Sequence, residues 1–134
     1  HIPYVAQASV SNHLDFMRKV ERALAVDGPS FINILQPCHR GWRHKPEDSI
    51  EVARVAVETR YWPLFEVIEG AWKVNYKPKK VVPVAEWFKL QGRFRHLLTP
   101  EGEAMVAWHQ EQIEKNWAEL LRREAESGSG GEEE

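Results

Sequence analysis

The stretch SFINILQPCHRGW, Ser30 to Trp42, decides how this chain is read. Its first part, SFINILQ, is short and rich in apolar and β-branched residues, which marks a β-strand with the character of a buried central one. It runs straight into Pro37 and Cys38, and then into an irregular segment, HRGWRHKPED, that holds Gly41 and a further proline. A loop that leaves the carboxyl end of a strand in an open α/β sheet is where ligands are held, because the sheet fixes the point at which the loop begins. Cys38 stands at that point.

Working outward, the pattern on both sides is layered α/β. Ile2–Val10, IPYVAQASV, reads as a strand. LDFMRKVERALAV follows with helical periodicity, placing Phe16, Val20, Ala23 and Leu24 on one side. Ser11 or Asn12 is the expected cap, and Asp27, Gly28 and Pro29 stop the helix. After the cysteine segment, Asp48 and Glu51 have capping-box spacing, so a helix is expected through about Arg60. Val52, Ala53, Val55, Ala56 and Val57 wrap much of it, which suits a helix sandwiched between layers. Pro63 ends it, Leu64–Ile68 reads as a strand, Gly70 as a turn, and Ala71–Tyr76 as a returning hairpin arm.

Residues 1–76 therefore form a βαβαβ unit, for which connections of this length favour parallel pairing. Residues 77–98 are a connector with short helical turns at Val84–Leu90, broken by Gly92. Thr99 and Pro100 open a long helix over 99–126, whose apolar stripe (Met105, Trp108, Ile113, Trp117, Leu120, Leu121) is broad enough to meet another chain as well as the sheet. SGSGGEEE, 127–134, is expected to be a disordered tail.

Composition narrows the classes. The 134 residues are 43% apolar, enough for one domain with a real core. The formal net charge is −2, and setting aside the three glutamates of the last eight residues makes it +1, so no nucleic-acid partner is indicated. Lys73, Lys77, Lys79 and Lys80 read as a solvated loop. No run of eighteen apolar residues suggests a membrane span, and no signal peptide is seen. The chain opens at His1 and not at a methionine, so the expectation is that its first residues are missing or that it was cut from something longer. The six tryptophans are a heavy load, and some are expected at contacts with a partner. GxGxxG, the Walker-type GK[ST], HExxH and GxSxG are all absent.

The chain has one cysteine. It cannot form an internal disulfide, and a reducing, cytoplasmic compartment fits it best. From its position alone Cys38 is first a buried structural thiol. A ligand of a metal or cluster, with His39 and His44 as nearby donors, is the next reading, and a nucleophile activated by His39 the third. Gly41 permits a tight turn near the thiol. Trp42 either packs as core or screens the sulfur from water. Asn33 and Gln36 serve nearby backbone groups. His39, Arg40, Arg43 and His44 make the loop basic. His13, His96 and His109 have no partner spacing, and Glu51 and Glu58 are explained by capping and exposure.

Several segments carry a resemblance in the same order: PYVAQASV, GPSFINILQPCHRGW (28–42), ARVAVETRYWPLFEV (53–67) and PVAEWFKLQGRFRHL (83–97). Together they resemble the β subunit of pyruvate:ferredoxin oxidoreductase, a 2-oxoacid:ferredoxin oxidoreductase, over nearly the whole chain to about Leu121. The resemblance implies the C-terminal part of a thiamin-diphosphate-binding α/β fold, a mostly parallel sheet flanked by helices with a long C-terminal helix. It implies a [4Fe-4S] cluster with three cysteines in the earlier part of the subunit and a fourth in a Pro-Cys segment that maps to Cys38, which makes Cys38 the one cofactor-binding and metal-ligating residue here. No catalytic residue is carried over. The cluster's CxxC and later cysteine, and the GDG…N segment for Mg2+ and thiamin diphosphate, are absent, so the chain alone is expected to be inactive. Arg60 stands where the family often has glycine, a local variation at the helix exit. The implied partners are the rest of the β subunit, other oxidoreductase subunits and ferredoxin, with pyruvate and coenzyme A as substrates of the assembled enzyme. A different 2-oxoacid, or a noncatalytic assembly module without a cluster, are the alternatives.

Overall fold

The computed structural model describes residues 2–129. Strand β1 (Tyr4–Ser9) leads to helix α1 (His13–Ala25) and strand β2 (Ser30–Leu35). A four-residue helix α2 (His39–Trp42) and a 3-10 turn (Pro46–Asp48) precede helix α3 (Ser49–Glu58). Strands β3 (Phe65–Ile68) and β4 (Ala71–Val74) form a hairpin. Helix α4 (Val84–Lys89), 3-10 turns at Gly92–Leu97 and Pro100–Gly102, and helix α5 (Glu103–Ser129) complete the order. The α/β class and the long last helix are as the sequence implies. Helix α5 runs through Ser127 and Gly128, beyond the expected end at 126. The Ser127 hydroxyl accepts from the Trp72 amide at 3.0 Å, which ties that turn to β4. The rest of the expected tail, 130–134, lies outside the described residues.

The sheet order is β2-β1-β3-β4. β1 pairs with β2 in parallel, Tyr4 opposite Ser30 through Ser9 opposite Leu35. β3 pairs with β1 antiparallel, Gln7 opposite Phe65, which corrects the expected parallel third strand. The reason lies in α3. It stays at the end of the sheet where β2 exits and packs against Leu35, α4 and α5, so the chain never travels back before β3 begins. β3 therefore starts at the end where β1 and β2 finish. The β3–β4 turn places both Glu69 (φ 49°) and Gly70 (φ 88°) in the left-handed region, the geometry of a two-residue hairpin.

β2 is also a correction. It is an edge strand of the sheet, with Phe31 55% and Ile34 40% exposed and only Leu35 buried. Its burial as a central strand is not met by the described residues.

The two faces of the sheet carry different helices. Phe65, Trp72 and Val74 pack with Trp117, Leu120 and Leu121 of α5. On the other face Glu66, opposite Ala6, is fully buried and accepts a two-pronged contact from Arg22 of α1 and a bond from Asn75 Nδ2. Lys19 of α1 is fully buried too, donating to the Gln7 carbonyl at 2.9 Å and pairing with Asp15 at 2.6 Å. Desolvation lowers the Lys19 pKa. The helix thus turns charge inward. Phe16, Val20 and Ala23 are half-buried, and Leu24 is exposed, not packed as expected.

The expected caps differ in detail. Asn12 occupies the cap of α1, but its side chain makes no cap bond and accepts from Ser11 Oγ. Asp48 precedes α3 in helical backbone (φ −85°, ψ −2°) and makes no side-chain cap bond. Its amide is already paired to the Lys45 carbonyl, and Glu51 pairs with Arg54 at 2.5 Å, so the capping box does not form. Among the described residues no helix is long and apolar enough to cross a membrane.

Candidate functional site

The larger core lies beside the cysteine loop. Leu35, Val52, Ala53, Val55 and Ala56 close around Val84, Trp87, Phe88 and Ile113. Trp87 is its centre, 1% exposed, donating from Nε1 to the Val52 carbonyl at 2.8 Å. A fully buried indole N–H needs such an acceptor, and the second lone pair of a carbonyl within α3 supplies it.

From that core β2 emerges. The Leu35 carbonyl accepts from the Val10 amide at 3.3 Å, Pro37 is buried, and Cys38 then turns out to solvent. The first reading of Cys38 from position, a buried structural thiol, is overturned: the thiol is exposed. Cys38 has extended backbone (φ −92°, ψ 105°) and caps α2, its carbonyl accepting from the Trp42 amide at 2.9 Å. A Cβ placed at Gly41 would stand 3.7 Å from Cys38 Sγ. Gly41 has no left-handed backbone; what its missing side chain provides is open space next to the sulfur.

Arg43 (φ 59°) ends α2 in the left-handed region. Its carbonyl accepts from the Gly92 amide at 3.0 Å, and a Cβ at Gly92 would meet Arg43 Cβ at 2.8 Å and Arg43 O at 3.0 Å. Such separations are inside contact distance, so the two segments approach as closely as they do because residue 92 is glycine. Next to it, the Arg93 guanidinium lies 3.9 Å from the centre of the Trp42 ring and 4.6 Å from that of Phe94. Desolvation by these rings lowers the Arg93 pKa. Trp42 is half-buried, its ring edge-on to Trp87 at 6.0 Å, so it packs on the core.

His39 and Arg40 are exposed. His44 turns its Nδ1 to the Lys45 carbonyl at 2.8 Å. Among the described residues no three His, Cys, Asp or Glu side chains are grouped to hold a metal ion, so Cys38, His39 and His44 do not form a zinc site together. Asn33 is exposed, its Nδ2 reaching Gln7 Oε1 at 3.5 Å, and Gln36 is exposed as well. What sequence reading missed is the role of Gly92 and Arg93. The only signal was a glycine followed by arginine in an aromatic-rich segment.

A second concave region lies between the Arg60–Pro63 turn and α5. It is a cleft of about 450 Å³ lined by Gln7, Trp62, Trp108, His109 and Trp117. Arg60 borders it in left-handed backbone (φ 62°), the conformation that explains why glycine suits this helix exit, and its guanidinium sits 4.7 Å from the Trp117 ring centre.

Fold and loop together define an α/β unit that presents one exposed thiol at the carboxyl end of a strand. The relatives place it further. The chain is 46% identical over 122 residues to "Pyruvate synthase subunit PorB" of Thermotoga maritima, a match covering 90% of this chain and 38% of that one. It is 48% identical to the protein of the same name from Methanocaldococcus jannaschii (83% and 37% covered). To "Ketoisovalerate oxidoreductase subunit VorB" of Pyrococcus horikoshii it is 47% identical (85% and 37% covered). No family model matches the chain. The chain belongs to the β subunits of the 2-oxoacid:ferredoxin oxidoreductases, and spans somewhat more than a third of the length of these curated relatives.

Proposed function

We propose that this chain is the C-terminal portion of such a β subunit and that Cys38 supplies one thiolate to a [4Fe-4S] cluster in the assembled complex. The observation that carries the reading is the thiol itself: exposed, at the carboxyl end of β2, on a turn with Gly41 beside the sulfur. A cluster bound there would supply one-electron transfer. This chain's own contribution is to hold the thiolate beyond the carboxyl end of β2, on a turn whose Trp42 packs against the Trp87 core.

The complex as a whole would oxidise pyruvate with coenzyme A and pass electrons to ferredoxin, or run the reverse synthesis, in the cytoplasm. Thiamin diphosphate and Mg2+ would be held mainly by residues outside this chain. The relatives named for ketoisovalerate match as closely as those named for pyruvate, which supports a second reading in which a branched 2-oxoacid is the substrate. Two surfaces support docking to the remainder of the subunit. One is the unpaired edge of β2 with Phe31 and Ile34, and the other is the outer side of α1 with Leu14, Met17 and Leu24.

The test is Cys38→Ser in the complete complex, read by iron content and low-temperature electron paramagnetic resonance. Loss of roughly one cluster's worth of iron and of one signal is expected. Unchanged iron and an unchanged spectrum would falsify the ligand role. Turnover with pyruvate against its branched homologue separates the two substrate readings.

A further inference from the structure

The segment Gln91–Phe94 comes back from the far side of the core to meet the cysteine loop, and every residue in it is engaged. Gln91 is 1% exposed and works at both ends. Its Nε2 donates to the Trp87 carbonyl at 2.9 Å, and its Oε1 accepts from Arg93 Nε at 2.9 Å. Gly92 donates to Arg43 O and leaves no room for a side chain against Arg43. Phe94 stacks on Phe88 with centroids 4.4 Å apart.

Arg93 is the unusual member. Among the described residues no carboxylate forms an ion pair with it. Its neighbours are the Gln91 side chain and the rings of Trp42, Phe94 and, at 6.0 Å, Trp87. A guanidinium partly withdrawn from water and given aromatic faces in exchange is held by cation–π attraction and by planar stacking, both stronger where solvent is excluded. The geometry is a two-point grip on α2. Gly92 holds the last residue of the turn through its backbone, and Arg93 holds Trp42, whose amide closes the turn onto the Cys38 carbonyl.

We propose that Arg93 is a positioning residue for Cys38: with Gly92 it clasps the Cys38–Arg43 turn to the Trp87 core, so that the thiol is presented in one orientation. The inference stands on contacts within this chain and goes beyond the ligand role proposed above. It assigns Gln91–Phe94 a specific task, where simple core filling would stabilise all of the chain alike.

The experiment is amide hydrogen exchange by mass spectrometry on the chain in its complete complex, comparing Arg93→Leu, Arg93→Lys and Gly92→Ala. In Arg93→Leu, exchange across 38–44 is expected to quicken roughly tenfold while that of β1 and α5 stays unchanged, because only the local opening of one turn becomes easier. Gly92→Ala should quicken the same segment. Arg93→Lys, which keeps the charge and lacks the planar fork, should fall between wild type and leucine. Unchanged exchange at 38–44, or an equal rise throughout the chain, overturns the clasp. Release of iron to a chelator, measured on the same variants, should be several-fold faster in Arg93→Leu, and an unchanged rate would overturn the consequence for the thiol. The two proposals fail separately: if Cys38→Ser leaves iron intact while Arg93→Leu loosens 38–44, the ligand role is wrong and the clasp stands.

Discussion

Helix α5 turns Trp117 and Leu120 toward one face of the sheet, whereas helix α1 turns Lys19 and Arg22 toward the other and leaves Leu14, Met17 and Leu24 outside. The same contrast holds at the strands. β3 and β4 are covered by α5, and β2 has one open edge and exposed Phe31 and Ile34. An apolar core that closes on itself is self-sufficient. A charged core with apolar residues turned outward is what a buried layer looks like when only one of its two sides is present, because each apolar side chain needs a cover. The side built around Trp87 and α5 carries stability and the cysteine loop, and the α1–β2 side leaves its apolar side chains uncovered, which is why it is the docking surface proposed above.

The contrast can be broken most severely at Trp87. Trp87→Ala removes the ring that touches Trp42, Tyr61, Phe88 and Phe94 and the indole bond to the Val52 carbonyl, and should cost about 3–5 kcal/mol in urea unfolding. On the charged face, Glu66→Ala should cost about 2 kcal/mol. That is less than a fully buried pair would cost, since Arg22 is 43% exposed and finds water when released.

The charged face also predicts a pH dependence. Burial lowers the Lys19 pKa below its usual 10.5, so the unfolded chain binds more protons between the two values and stability rises with pH up to about 10.5. Tyr4 runs the other way. Burial, then Glu66, pushes it up to about 12, so the folded chain holds its proton longer and stability falls between 10 and 12. Lys19→Met should flatten the rising limb and Tyr4→Phe the falling one, in denaturant midpoints measured across that range. Among the described residues Tyr4 Oη makes no hydrogen bond of normal geometry, although the Arg22 guanidinium is near it, so Tyr4→Phe should be close to neutral at pH 7, within about 1 kcal/mol.

On the outer side of α1 the expected effect is smaller. Leu24, 82% exposed, should tolerate Leu24→Asp within about 0.5 kcal/mol in the chain by itself. In the complete complex the same change should weaken subunit assembly, read by size-exclusion chromatography, and undisturbed assembly would remove α1 from the docking surface. The smallest effect is expected at Arg60. Arg60→Gly relieves about 1 kcal/mol of left-handed backbone and gives up a cation–π contact of similar size, leaving the thermal midpoint nearly unchanged.

Much of this was legible in the residues. Element positions follow from periodicity and punctuation: Pro29 before β2, Pro63 before β3, Gly70 at the hairpin, Thr99–Pro100 before the long helix. The family was legible too, because ordered segments such as GPSFINILQPCHRGW carry more information than composition. These are local properties, set by backbone preferences and side-chain spacing. The direction of β3, the edge position of β2, the inward charges of α1 and the exposure of Cys38 were decided in three dimensions. Apolar content says that Phe31 or Leu24 prefers cover, and it does not say whether this chain supplies it. The clasp of Gly92 and Arg93 on Trp42 joins residues some fifty positions apart, and their pairing exists only once α3 and α4 have packed around Trp87.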